Sequence, residues 1–192
     1  GDQKKTISVF NYNSVMCIIG GAGNGKTYTM AMIVKELLDQ DLDIIILAPT
    51  GTAANNAKKK LIGAGIDASD LKKSVHTIHK FVYSLSIPAP DVVFIDESSM
   101  MDMTIFYRFL KKIYRKTKKI VFVGDNHQLP SVGAGNCFND LLNSGCIQIC
   151  KLTTQHRQKG TGGVIIANNA NRIWNQEISC AQKIKLMAEV FH

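Results

Sequence analysis

Five short apolar runs recur along the chain: Ser14 to Gly20 ("SVMCIIG"), Asp43 to Ala48 ("DIIILA"), Asp91 to Asp96 ("DVVFID"), Lys119 to Gly124 ("KIVFVG") and Cys146 to Leu152 ("CIQICKL"). They are apolar throughout and rich in β-branched residues, with none of the alternation of a half-exposed strand. Strands covered on both faces read this way. Helical-period stretches separate them, over about Gly25 to Leu38 and Thr52 to Leu61. Strand–helix repetition predicts an α/β fold with a largely parallel sheet. Ser86 to Pro90 ("SIPAP") is the one clear break, a loop into the third run. In such sheets ligands bind at the carboxyl ends of the strands, so the residues that follow each run carry the chemistry.

The first run ends in "GGAGNGKT", Gly20 to Thr27. This is the G-x-x-x-x-G-K-[ST] pattern in its required context, after a strand and at the start of a helix. Its glycines let backbone N–H groups turn toward phosphates, and the helix dipole favours the anion. Lys26 is expected to reach the β- and γ-phosphates and Thr27 to hold Mg²⁺. Gly21, Ala22, Gly23, Asn24 and Gly25, with Tyr28 just beyond, complete the expected nucleotide contacts. The fold expected is therefore a P-loop NTPase.

The third run ends in Asp96 and Glu97. Asp96 is placed to hold Mg²⁺ and Glu97 to polarise an attacking water as general base. The fourth run leads into "VGDNHQLPSVGAG", Val123 to Gly135. A turn alone needs fewer polar and flexible residues. Gln128 could hydrogen-bond a γ-phosphate and a water, and the Pro-stiffened stretch after it could relay that contact; His127 reads as a surface residue.

Composition and charge narrow the reading further. The surplus of 23 Lys and Arg over 15 Asp and Glu, +8 in all, favours an anionic partner, nucleic acid first. The lysine run "KKIYRKTKK", Lys111 to Lys119, reads as a solvated helix face. Five cysteines (Cys17, Cys137, Cys146, Cys150 and Cys180) form no CxxC pair, so a reducing, intracellular setting is expected. No apolar run approaches the roughly 20 residues of a membrane span, and the N-terminus lacks a signal-peptide core.

The ordered set "GGAGNGKT", "APTGTAA" (Ala48 to Ala54), "TIH" (Thr77 to His79), "FIDESSM", "VGDNHQLPSVGAG" and "LTTQHRQ" (Leu152 to Gln158) resembles the first RecA-like domain of superfamily 1 helicases, in the RecD-like 5′→3′ DNA helicase branch. That resemblance implies a three-layer RecA-like sandwich and an ATP- and Mg²⁺-dependent motor working on single-stranded DNA. It implies that Gln3 reads adenine and that Arg157 contacts the γ-phosphate. It implies that Pro49, Thr50, Thr52, Thr77 and His79 contact the DNA strand. Thr50 also reads as a simple helix cap, and His79 equally as a core or capping residue. The remaining alternatives are a viral-type RNA helicase ATPase domain and a non-catalytic nucleotide-binding docking module.

Three departures from the family pattern qualify the expectation. Residues 1–173 are expected to form the first RecA-like ATPase domain, and 174–192 a segment leading to a second motor domain whose motifs the chain lacks. A fragment alone is then expected to be weak or inactive. Only Lys80 to Pro90 stands where relatives carry a duplex-parting hairpin or subdomain. Asn24 stands where the family usually has Thr, and its side chain is expected to face outward with little effect.

Overall fold

The structure, a computed structural model, describes residues 2–126, 128 and 131–153. All lie in the first of the two units into which the chain divides, Gly1–Thr154. Arg157 and the 174–192 segment, with His127, fall outside the described residues.

The described elements are α1 (Asp2–Tyr12), β1 (Val15–Ile19), α2 (Lys26–Leu38), β2 (Ile44–Ala48), α3 (Gly51–Gly63), β3 (Val75–Thr77), α4 (Ile78–Tyr83) and β4 (Val92–Ile95). A 3₁₀ turn at Ser98–Met100 precedes α5 (Met103–Ile113), β5 (Lys119–Gly124), α6 (Cys137–Asn143) and β6 (Gln148–Lys151). The six strands form one sheet in the order β3-β2-β4-β5-β1-β6, and every pairing is parallel.

Successive side chains of a strand point to opposite faces, so each apolar run feeds two cores. Met16, Ile18, Ile44, Ile46, Phe94 and Val121 meet α1, α2 and α3 on one face. Cys17, Ile45, Leu47, Val93, Ile95 and Phe122 meet α4, α5 and α6 on the other. The runs lack polar alternation because both faces are buried. The result is a helix–sheet–helix sandwich.

The helices begin where the sequence supplies caps. Thr50 Oγ1 accepts the Ala53 N–H at 3.1 Å, Thr77 Oγ1 accepts that of Lys80 at 3.1 Å, and Asp102 Oδ1 accepts that of Ile105 at 2.8 Å. Each satisfies a first-turn donor that the helix itself leaves open. In α5, Ile105, Phe109 and Ile113 recur every four residues and are all buried.

Two expectations change. The edge strands are not covered on both faces: β3 is a half-buried Val-His-Thr too short to register as an apolar run, and β6 spans only Gln148–Lys151, with both of its end residues exposed. The lysine run is not wholly solvated either. Lys119 Nζ donates to the carbonyls of Phe10 (2.8 Å), Asn11 (3.2 Å) and Asn13 (3.1 Å), closing the C-terminus of α1. Lys112 Nζ donates likewise to Phe81 and Ser84 at the end of α4. Partial burial lowers the pKa of both lysines, and helix C-termini attract cations.

Candidate nucleotide site

The β1–α2 connection is built by backbone conformation. Gly23 and Gly25 have φ of 85° and 80°, values that a side chain strongly disfavours. Gly25 caps α2 without a side-chain bond, so the first N–H groups of the helix receive no side-chain acceptor from it. Lys26 Nζ lies back over the loop and donates to the carbonyls of Gly20 (2.5 Å) and Gly21 (3.1 Å). Thr27 is half-buried beside it, and Tyr28 is 54% exposed.

Asn24 does not face outward. Its Nδ2 donates to the Leu152 carbonyl at 2.7 Å, just past β6, and its Oδ1 is buried without a partner among the described residues. The loop curls against β6 because Gly20 lies directly there: a Cβ on it would come within 2.8 Å of the same Leu152 oxygen. On the other side of this point, Asp2 Oδ2 accepts from Thr153 N (3.2 Å) and Oγ1 (2.9 Å). Gln3, half-buried in the first turn of α1, is thus held near the start of the loop that contains Asn24.

Two strands away, β4 delivers Asp96 and Glu97. Asp96 is 6% exposed, and its Oδ1 accepts the Glu97 N–H at 3.1 Å. Burial, then the neighbouring Glu97 charge, raise the Asp96 pKa, while the Lys26 ammonium acts in the opposite sense. A carboxylate so placed gains from an added cation. Glu97 has φ 53° and ψ 43°, an uncommon conformation for a non-glycine residue and one that recurs at functional sites. Its Oε2 is buried with no hydrogen-bond partner among the described residues.

β5 lies between β4 and β1, and its exit is a turn in which the Gln128 N–H donates to the Asp125 carbonyl at 3.2 Å. Asp125 is 7% exposed. Ser99 Oγ donates to Gln128 Oε1 at 3.3 Å, joining the turn after β4 to the turn after β5. Lys26, Asp96, Glu97 and Gln128 therefore stand along adjoining strand ends of one sheet edge. Sequence reasoning missed Ser99, though it lies two residues past Glu97 in a stretch already singled out, and it missed Asp2, which sits next to Gln3.

The other end of the same edge carries the second set. Ala48 of β2 is in register with Thr77 of β3, so the segments that carry Pro49, Thr50 and Thr52 and that carry Thr77 and His79 leave two neighbouring strands at the same edge. Thr50, Thr52 and His79 are exposed, and Pro49 and Thr77 half-buried; His79 is not a core residue. Between Thr77 and β4 the chain forms only α4 and a loop, with no hairpin.

Comparison with known proteins decides the family. A family model described as an AAA domain matches residues 1–184. The chain belongs to this AAA domain family. The RecBCD enzyme subunit RecD of Mycolicibacterium smegmatis is 30% identical over 183 residues, covering 81% of this chain and 33% of that protein. The ATP-dependent DNA helicase Pif1 of Psychrobacter sp. is 27% identical over 216 residues, covering 99% of this chain and 33% of that protein. The AAA domain is thus a RecD-like member of superfamily 1, as its motifs implied. A crystal structure of Bacteroides Pif1 bound to ssDNA superposes with a TM-score of 0.64 at 20% identity, over 98% of this chain and 48% of that one. The superposition establishes the RecA-like P-loop NTPase fold. The chain spans about a third of the length of the curated relatives it matches. Among the described residues no helix is long and apolar enough to cross a membrane.

Proposed function

We propose that this AAA domain binds and hydrolyses ATP and is the first motor domain of a helicase that moves on single-stranded DNA, 5′→3′ by its likeness to the RecD branch. The observation that carries the reading is the alignment of Lys26, Asp96, Glu97 and Gln128 on adjoining strand ends, tied together by the Ser99–Gln128 bond.

The residues fit Mg²⁺–ATP. The loop carbonyls of Gly20 and Gly21 already hold one cation, the Lys26 ammonium, and Glu97 Oε2 is an acceptor without a donor among the described residues. Thr27 and Asp96 would hold Mg²⁺, which neutralises phosphate charge. Lys26, released from its carbonyls, grips the β- and γ-phosphates, and Gly21 to Gly25 donate backbone N–H groups. Gln3 reads adenine beside Tyr28. Glu97 takes a proton from the attacking water, Gln128 orients that water, and Arg157 supplies a fixed positive charge to the γ-phosphate.

Pro49, Thr50, Thr52, Thr77 and His79 contact the strand, with hydroxyls and helix-end amides suited to phosphates. The basic surplus makes that contact strongly salt-dependent. A second RecA-like domain completes the cleft, in keeping with relatives about three times as long.

The test is steady-state ATP turnover with and without single-stranded DNA. Turnover is expected to be slow and to fall by about 10²-fold or more in Glu97→Gln, the scale of a lost general base, with nucleotide binding retained. Equal turnover in that variant would refute the assignment of Glu97.

A further inference from the structure

The exposed face of α4 carries an aromatic cluster that the nucleotide site does not use. His79 and Tyr83 are four residues apart and share one side of the helix. Their rings lie 6.5 Å apart at 23°. Phe81 between them is fully buried, whereas Tyr83 is 57% exposed. From α5, the Arg108 guanidinium reaches to 5.0 Å from the Tyr83 ring centroid. Lys112 fixes the end of α4 through the Phe81 and Ser84 carbonyls, so Tyr83 stands on a braced stem.

The charge around the cluster has one sign. Residues 71–90 and 103–124 contain no Asp or Glu. Lys80 lies beside His79, Lys111 follows Arg108 on α5, and Arg115 lies just past the helix end; all three are exposed. The Arg115 guanidinium in turn lies 5.1 Å from the exposed Tyr114 ring. Aromatic faces interleaved with unneutralised cations match a polyanion whose own units are flat rings. A protein partner would demand acidic residues opposite this surface and gain little from the ring faces.

α4 begins just after its cap Thr77, which is in register with Ala48 at the end of β2, two residues before Thr50. A strand lying along the carboxyl edge at Thr50 and Thr77 meets His79 and Tyr83 next.

We infer that His79, Tyr83 and Arg108 form a stacking ledge for a nucleobase of single-stranded nucleic acid. The inference rests on the strand-binding reading above and names a base contact within it. The low aromatic content, 7%, still leaves backbone contact dominant on this domain, with the ledge as a local exception.

Anisotropy titrations at low salt, using a labelled oligothymidylate and an abasic oligomer of equal length, test it on the full chain. Tyr83→Ala is expected to weaken oligothymidylate binding by about tenfold while leaving abasic binding unchanged, and Tyr83→Trp to restore it. Unchanged oligothymidylate binding in Tyr83→Ala would overturn the ledge and leave strand binding standing. Equal losses on both oligomers would overturn it too, by assigning Tyr83 to the backbone. Failure of the unsubstituted chain to bind either oligomer would remove the strand reading and the ledge with it.

Discussion

Asn24 of the phosphate loop donates a 2.7 Å hydrogen bond to the carbonyl of Leu152, 128 positions later in the chain. The bond fastens the β1–α2 loop to the backbone just past β6. Asp2 grips the next residue, Thr153, from α1. The β1–α2 loop and α1 thus fasten to two consecutive residues past β6.

Asn24→Ala should therefore cost about 1 kcal/mol of stability, the usual net value of such a bond. Asn24→Thr should cost as much, because its hydroxyl lies one atom nearer the backbone than Nδ2. Urea unfolding checks both, and wild-type midpoints in the two variants would contradict the link.

The Lys119 ammonium serves three carbonyls at the end of α1. Lys119→Met keeps the aliphatic stem over Phe10 and removes the donors, and should lower stability by about 1–2 kcal/mol. Lys118→Met, at a side chain 70% exposed and paired with Asp91, should change little. Thermal melts of the two variants make the comparison.

These two lysines mark where the sequence was and was not legible. All five apolar runs became strands, four of them inside the sheet, where a strand buried on both faces has no polar position to disguise it. The phosphate loop and Asp96–Glu97 were legible because their spacing is local. β3 was not, since three residues at a sheet edge leave no periodic signal. Lys119 and its exposed neighbour Lys118 read alike in a basic run, and only tertiary contact separates them. Asn24 likewise read as an outward side chain because its partner, Leu152, follows the neighbouring strand β6 and is far away in sequence.

Burial raises the Cys17 thiol pKa from 9.0 to about 12, with Cys150 adding to the effect, whereas Cys146 is exposed. The thiolate is the reactive form. Iodoacetamide at pH 8 should label Cys146 and spare Cys17 until the chain unfolds, as peptide mass spectrometry will reveal. The same shift sets a sign. The folded state holds the Cys17 proton more tightly than the unfolded chain, so its contribution to stability is intact below pH 9 and is lost as pH rises toward about 12. Cys17→Ser should flatten that alkaline decline; an unchanged decline would contradict the assignment.

If the β1–α2 loop, through Lys26, holds the phosphates of ATP, calorimetric titration of the full chain with Mg²⁺–ATP should show measurable binding. Lys26→Ala should weaken it by about tenfold or more, the loss of a charge-assisted contact. Equal affinity in the two proteins, or no binding by the unsubstituted chain, would contradict that role of the loop.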